Sequence, residues 1–202
     1  MKLYYTPNTI ALASLITLEE IGAVYEPLRV DFSIGGQKTP EYLAVNPKGR
    51  VPALVTDHGV LTETPAILTF LAQSFPDAGL LPEDVFAAAR VKEFNAYLCS
   101  TVHVSHAHRM RGGRWSDEPV VIEALKLKVT ENIGDHFAYL EGRFAGPWVM
   151  GDAYSIADPY QYVLSEWTRG DGVDLARFPR LSGLFAAMNA RPAVQRALAV
   201  QG

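Results

Sequence analysis

The chain has 202 residues, 49% hydrophobic and 20% charged, which supplies enough apolar material for the core of one or two soluble domains. Its 18 basic and 22 acidic residues give a net charge of -4, so nucleic acid and anionic membranes are poor partner candidates. The single cysteine, Cys99, excludes an intrachain disulfide and a multi-cysteine metal site, and the absence of a secretory signal or an apolar span predicts a cytoplasmic protein.

Strand and helix signals alternate at the start of the chain. Aromatic residues at 2–5 predict a short strand, and apolar spacing then predicts an amphipathic helix from Ile10 that stops at Gly22. A second strand is predicted over 25–32. Pro27 cannot donate to a hydrogen-bond ladder, which predicts either an edge position or an irregular start for this strand.

The next segment predicts a helix, a hairpin and another helix. Thr39 is expected to cap a short helix, and VPALVTDHGVLTE predicts two strands joined by a turn at its DHG letters. Thr64 is expected to cap the following helix, with Pro65 as its first residue. Residues 1–75 therefore predict the order βαβαββα.

Residues 85–202 predict helices and no strand. Prolines and a glycine over 76–84 predict a linker between two domains. A long helix follows until the RGGRW letters, a second has Pro119 near its start, and three more complete the chain. The predicted fold class is α+β, with an all-α second domain.

Three groups of segments carry a resemblance to a known family: MKLYYTP with LASLITLEE, then NPKGRVPALVTDHGVLTETPAILTFLA, then GDAYSIADPYQY with ARPAVQRAL. Over almost its whole length the chain resembles cytosolic glutathione S-transferases, most closely the bacterial beta class. The resemblance implies a thioredoxin-like N-terminal domain that binds glutathione and an all-α C-terminal domain that shapes the acceptor site. It also implies a homodimer, glutathione as co-substrate and no metal.

The resemblance implies where glutathione binds. A cis bond between Val51 and Pro52 is expected, which would leave the Val51 backbone free to pair with the cysteinyl backbone; the alternative is a trans proline that starts an edge strand. Glu63 and Thr64, at a helix N-terminus, suit the γ-glutamyl ammonium and carboxylate, although Thr64 can also act only as a cap.

Three further residues are candidates for the glycyl carboxylate of glutathione. Gln37 and Lys38 follow a glycine pair, and Arg50 directly precedes Val51. Side chains in such flexible segments are often simply solvated, so the match for Gln37 and Lys38 is loose.

The cysteine that beta-class relatives use is missing. The matching position is Ile10, and the serine that follows it is Ala11, so cysteine chemistry cannot be carried over. The thiolate of glutathione is the nucleophile, and another donor must stabilise it. Thr9, next to the helix start, is the first candidate, although it can also be only a cap. Asn8 and Tyr5 are further catalytic candidates, and a strand tyrosine is often only packed.

The HVSHAHRMRGGRW stretch supplies candidates from the second domain. The resemblance aligns His103 with a histidine directed at glutathione, and His106 shares its helical face beside the acceptor, although each can also be only a packed structural histidine. Arg111 and Trp115 are candidates for acceptor contact, although cations near a helix end also favour the dipole. Histidines at this spacing without a carboxylate do not predict a metal.

Two other features of the sequence predict structural roles and no catalytic role. Ser155 and Asp158 have the spacing of a capping box, which resembles a folding motif of the family. Cys99 is expected inside a buried helix and not as a nucleophile.

Three hypotheses follow. The first is a transferase whose glutathione thiolate attacks an electrophilic small molecule, by conjugation or by thiol-dependent reduction. The second, favoured by the lost cysteine, is a catalytically weak glutathione-binding or protein-interaction module. The third is a glutathione-dependent isomerase.

Overall fold

The computed structural model describes residues 1–202 and consists of a small mixed sheet followed by a helical half. The strands and the first helices are β1 Lys2–Tyr5, α1 Ala11–Glu20, β2 Glu26–Arg29, α2 Pro40–Val45, β3 Ala53–Thr56, β4 Gly59–Thr62 and α3 Thr64–Ser74. The remaining helices are α4 Val85–Tyr97, α5 His103–Arg111, α6 Pro119–Arg143, α7 Ala157–Trp167, α8 Pro179–Asn189 and α9 Pro192–Gln201.

The predicted order βαβαββα of the first half is confirmed. The sheet order is β2-β1-β3-β4, in which β1 pairs in parallel with β2 and antiparallel with β3. Pro27 lies on the edge strand, as predicted. That strand is shorter than predicted, because the Asp31 carboxylate accepts the Ser33 N–H at 2.9 Å and the chain turns away from the sheet.

The sequence predicted the N-terminal cap of α2 correctly but not that of α3. Thr39 accepts the Tyr42 N–H at 3.3 Å and caps α2, as predicted. The prediction that Thr64 caps α3 is wrong, because Glu63 occupies the cap position with a φ of 70° and Thr64 is the first helical residue. The left-handed Glu63 backbone turns the chain directly from β4 into α3.

Helix α1 is the centre of the molecule. The prediction of an amphipathic helix is wrong, because every residue from Ala11 to Leu18 is buried. One side of α1 faces the sheet domain and α3, and the other is covered by α7 and α9. Two ion pairs hold the C-terminal end of α1. Glu20 pairs with Arg191, the residue before α9, at 2.6 Å, and Glu19 pairs with Arg196 of α9 at 2.7 Å.

The second half is helical, as predicted, but its first long helix is interrupted. Helix α4 ends at Tyr97, a π-helical turn covers Leu98–Val102, and α5 then begins at His103. Cys99 lies in this turn, half-buried and facing a cleft, so the prediction of a buried-helix position is wrong.

Pro119 begins α6, as predicted, and the only regular element between α3 and α4 is a 3-10 turn at Pro76–Ala78. The exact domain limits, 1–75 and 85–202 with a linker at 76–84, stay a prediction. None of the helices combines the length and the apolar content that a membrane crossing requires.

Candidate functional site

A cleft of about 1120 Å³ opens between the sheet and the second half of the chain. The start of α1, the segment before β3, the β4–α3 junction and α5 border it. Most of the residues selected from the sequence line this cleft: Asn8, Thr9, Gln37, Arg50, Val51, Pro52, Glu63, Thr64, His103, His106, Arg111 and Trp115. The structure does not bring Tyr5 or Lys38 to it.

The Val51–Pro52 bond is cis, as expected. The N–H and C=O groups of Val51 make no hydrogen bond within the chain. The preceding carbonyl, that of Arg50, accepts the Tyr42 hydroxyl at 2.6 Å and the Asn46 amide at 2.7 Å. These two buried side chains therefore fix the segment that offers the free backbone groups, a role that the sequence did not reveal.

The β4–α3 junction presents Glu63 and Thr64 to the cleft, with Thr64 buried. Glu63 pairs with the Lys48 ammonium at 2.5 Å, and Lys48 also donates to the Thr62 hydroxyl at 2.6 Å. Lys48 was not a sequence candidate. It orients the carboxylate that is expected to receive the glutathione ammonium.

The candidates for the glycyl carboxylate separate into two groups. Arg50 is exposed at the cleft, and Gln37 is half-buried there with its Oε1 atom buried and unpaired. Lys38 is exposed outside the cleft lining, so its selection as a binding residue is not supported.

The loop before α1 offers hydrogen-bond donors to the cleft. The Thr9 hydroxyl donates to the Thr6 carbonyl at 2.7 Å and accepts the Ala11 N–H at 3.4 Å. The N–H groups of Thr9 and Ile10 have no acceptor within the chain. Two backbone donors and one hydroxyl thus stand at the positive end of the α1 dipole.

The last helix holds this loop in place. The Asn8 backbone has a left-handed φ of 59°, and its N–H donates to the Gln201 side chain at 3.0 Å. Tyr5 is buried, and its hydroxyl donates to the Val200 carbonyl at 2.8 Å. The Tyr5 hydroxyl therefore holds α9 and does not line the cleft, so the structure does not support the selection of Tyr5 as a catalytic residue.

His103 lies at the cleft among aromatic side chains. Its Nδ1 is 3.4 Å from the Tyr160 hydroxyl, and its ring meets that of Trp167 edge-on at 5.1 Å. Burial, followed by the nearby His106 and Arg111, lowers the pKa of His103 from 6.5 to about 3. His103 is therefore neutral near pH 7 and can offer glutathione a hydrogen bond but no charge.

His106 belongs to a buried charged cluster. It is 5% exposed, its Nδ1 contacts the Asp171 carboxylate, and its Nε2 has no partner. The other Asp171 oxygen is 2.8 Å from the Arg109 Nε. Asp171 lies 65 residues along the chain from His106, so no local sequence signal pointed to it.

Arg111 and Trp115 both reach the cleft from the end of α5 and the turn after it. Burial, and then the charge of Arg50, lowers the pKa of Arg111. Trp115 is half-exposed and meets the ring of His108 edge-on at 4.4 Å. Arg114, which was not selected, lines the cleft beside them.

Comparison with known proteins identifies the family. The profile of the glutathione S-transferase N-terminal domain matches residues 1–73. Glutathione S-transferase GstA of Escherichia coli O157:H7 is 32% identical over 206 residues, which cover 100% of this chain and 99% of that protein.

Solved structures agree with this result. A glutathione transferase homologue from Sulfitobacter, crystallised with bound glutathione, is 44% identical with a TM-score of 0.94 over 96% of this chain and 95% of its own. The beta-class glutathione S-transferase of Sphingomonas chungbukensis is 32% identical with a TM-score of 0.88 over 100% and 99%. This chain, with its thioredoxin-like sheet, its helical second half and the cleft between them, therefore belongs to the glutathione S-transferase family.

Proposed function

We propose that the start of α1 stabilises the thiolate of bound glutathione, which then attacks an electrophilic small molecule in the cleft. The observation that carries this proposal is the pair of unpartnered N–H groups on Thr9 and Ile10, beside the Thr9 hydroxyl. A thiolate accepts such donors more strongly than a thiol does, so they lower its pKa. The hydroxyl contributes by turning from the Thr6 carbonyl to the sulfur.

The rest of the tripeptide has matching partners along the cleft. The free N–H and C=O groups of Val51 suit the cysteinyl backbone. The α3 N-terminus with Thr64 suits the γ-glutamyl carboxylate, and Glu63 suits its ammonium. Arg50 and Gln37 are then available to the glycyl carboxylate.

A conjugation requires no reactant other than glutathione and the electrophile. The sulfur lone pair forms a carbon–sulfur bond, and the leaving group departs with its electron pair. His103, neutral near pH 7, can donate a hydrogen bond without adding charge to the site.

The first test is the pKa of bound glutathione, followed by ultraviolet thiolate absorbance as pH is varied. A free thiol has a pKa of roughly 8.5, and we expect a clearly lower value in the complex. Thr9→Val, which keeps the side-chain shape but removes the hydroxyl, is expected to raise it by about one unit and to slow conjugation about tenfold.

Thr9→Ser is the matched control, because it keeps the hydroxyl and should stay close to the original protein. If glutathione binds tightly but remains a thiol at neutral pH, the proposed activation is wrong and the binding-module hypothesis replaces it. An unchanged pKa in Thr9→Val would assign the effect to the backbone donors alone.

We also propose that the chain acts as a homodimer, as the family resemblance implies. Val85 and Phe86 at the start of α4 are 84% and 74% exposed, and adjacent large apolar side chains on a surface favour a protein contact. Light scattering is expected to give twice the chain mass of 22.2 kDa. A mass of one chain at micromolar concentration would contradict the proposal.

A further inference from the structure

The charge of the cleft differs in sign from that of the whole protein. The chain carries a net charge of -4, yet the cleft lining contains four arginines and a single acidic residue, Glu63. Glu63 is already paired with Lys48. A basic cleft in an acidic protein concentrates anions at that place.

Three of the four arginines have no partner of their own. Arg109 pairs with the buried Asp171, but Arg50, Arg111 and Arg114 make no side-chain hydrogen bond and have no carboxylate oxygen within 4.0 Å. Burial, and then the charge of Arg50, lowers the pKa of Arg111; burial, and then the charges of Arg111 and Arg50, lowers that of Arg114. An anionic group bound among these guanidinium groups would compensate their charges.

Glutathione accounts for only part of this charge. Its γ-glutamyl end is allocated to the α3 N-terminus, and its glycyl carboxylate to Arg50 on the sheet side. Arg111 and Arg114 lie on the helical side, with Met110 and Trp115 as exposed apolar neighbours in the cleft lining. This wall therefore combines two unpaired guanidinium groups with an apolar surface.

Building on the proposed function, we infer that the acceptor substrate is an anionic electrophile, whose acidic group is bound by Arg111 and Arg114 and whose apolar body packs beside Met110 and Trp115. A carboxylate is the simplest such group, because guanidinium groups bind it through paired, charge-assisted hydrogen bonds. This binding would hold the electrophilic carbon in the cleft while the thiolate attacks.

Two probes that undergo the same chemistry test the inference: chlorodinitrobenzoate and its methyl ester. In each, the thiolate forms a bond to the ring carbon that carries chlorine, and chloride leaves with the electron pair. We expect the kcat/KM of the carboxylate, divided by its uncatalysed rate with glutathione, to exceed that of the ester by about tenfold or more.

The variant Arg111→Gln/Arg114→Gln is expected to lower the ratio of the carboxylate value to the ester value by on the order of 10- to 100-fold. Arg29→Gln is the matched control, because Arg29 is an exposed arginine on β2 outside the cleft. Arg114→Gln alone, at an exposed position, gives a smaller loss of the same kind if the double variant is unstable.

If the original protein has the same normalised kcat/KM for the carboxylate and for the ester, the inference is overturned. So would a double variant that loses glutathione affinity as much as it loses carboxylate turnover, because the two arginines would then bind the tripeptide.

Failure of the proposed thiol activation gives a different result, in which neither probe reacts faster than in free solution. Calorimetry with unreactive dinitrobenzoate and its methyl ester, on the glutathione-saturated protein, then decides the inference by itself. Tighter binding of the carboxylate supports it, and equal binding contradicts it.

Discussion

Asp171→Asn is expected to lower the free energy of unfolding by about 2–3 kcal/mol, because it removes a fully buried carboxylate whose partner Arg109 is only partly shielded from water. The Asp171 side chain is completely buried between the His106 ring and the Arg109 guanidinium. An asparagine presents one N–H₂ group to these donors and removes the only charge that compensates Arg109. The loss should therefore exceed that of an ordinary surface change.

Urea unfolding followed by circular dichroism measures this loss. Asp152→Asn, at an exposed carboxylate without a hydrogen-bond partner, is the control and is expected to change stability by less than about 0.5 kcal/mol. Adding Arg109→Met to Asp171→Asn should recover part of the loss, because it removes the unpaired cation. A loss below about 1 kcal/mol would mean that solvent, and not Asp171, neutralises Arg109.

This cluster also shapes the catalytic cleft, because His106 and Arg109 are both part of its wall. Without Asp171, the Arg109 charge would be released toward the cleft and would add to those of Arg111 and Arg114. The Asp171 carboxylate thus separates a structural arginine from the two that we assign to the acceptor.

The sequence predicted those parts of the fold that depend on neighbouring residues. Thr39 caps α2 because its hydroxyl needs only the N–H three residues on, and the two halves of the hairpin meet through a short turn. The family resemblance located Val51, Glu63 and Thr64 at the cleft in the same way, as contiguous motifs.

What the sequence did not predict depends on distant packing. Helix α1 is buried on all sides because α7 and α9 cover the face that its own apolar spacing leaves polar. The sequence around Tyr5 does not show that its hydroxyl donates to the Val200 carbonyl of α9, because Val200 lies 195 residues away. The spacing of apolar residues predicts which face of a helix is buried, but it cannot identify a distant helix that covers the opposite face.

The Ser155–Asp158 motif confirms the predicted capping box and extends it. Asp158 accepts the Ser155 N–H at 2.7 Å, and the Ser155 hydroxyl accepts the Ala157 N–H at 3.2 Å. Asp158 also accepts the Val149 N–H at 2.8 Å, which ties α7 to the segment that precedes it. The carboxylate therefore joins two segments, and its loss should cost more than a single helix cap.

Asp158 is expected to make the protein less stable as the pH rises from about 4 to 7. Burial raises the pKa of this carboxyl from 3.8 to about 6, against the opposing hydrogen bonds from Val149 and Ser155. Between these two values the folded state binds more protons than the unfolded state, so stability is greatest below the lower value and falls until the pH passes the upper one. The difference corresponds to about 3 kcal/mol.

The comparison with Asp158→Asn isolates this effect, because the asparagine cannot titrate while the other groups still can. We expect the free energy of unfolding of the original protein, minus that of the variant, to fall by about 2 kcal/mol between pH 4 and pH 7, because part of the full effect is already lost at pH 4. A difference that rises with pH would mean that the hydrogen bonds from Val149 and Ser155 to Asp158 outweigh its burial. The Asp158 carboxylate would then stabilise α7 in its charged form, and its pKa would lie below the ordinary value. The protein would in that case lose stability as the pH falls.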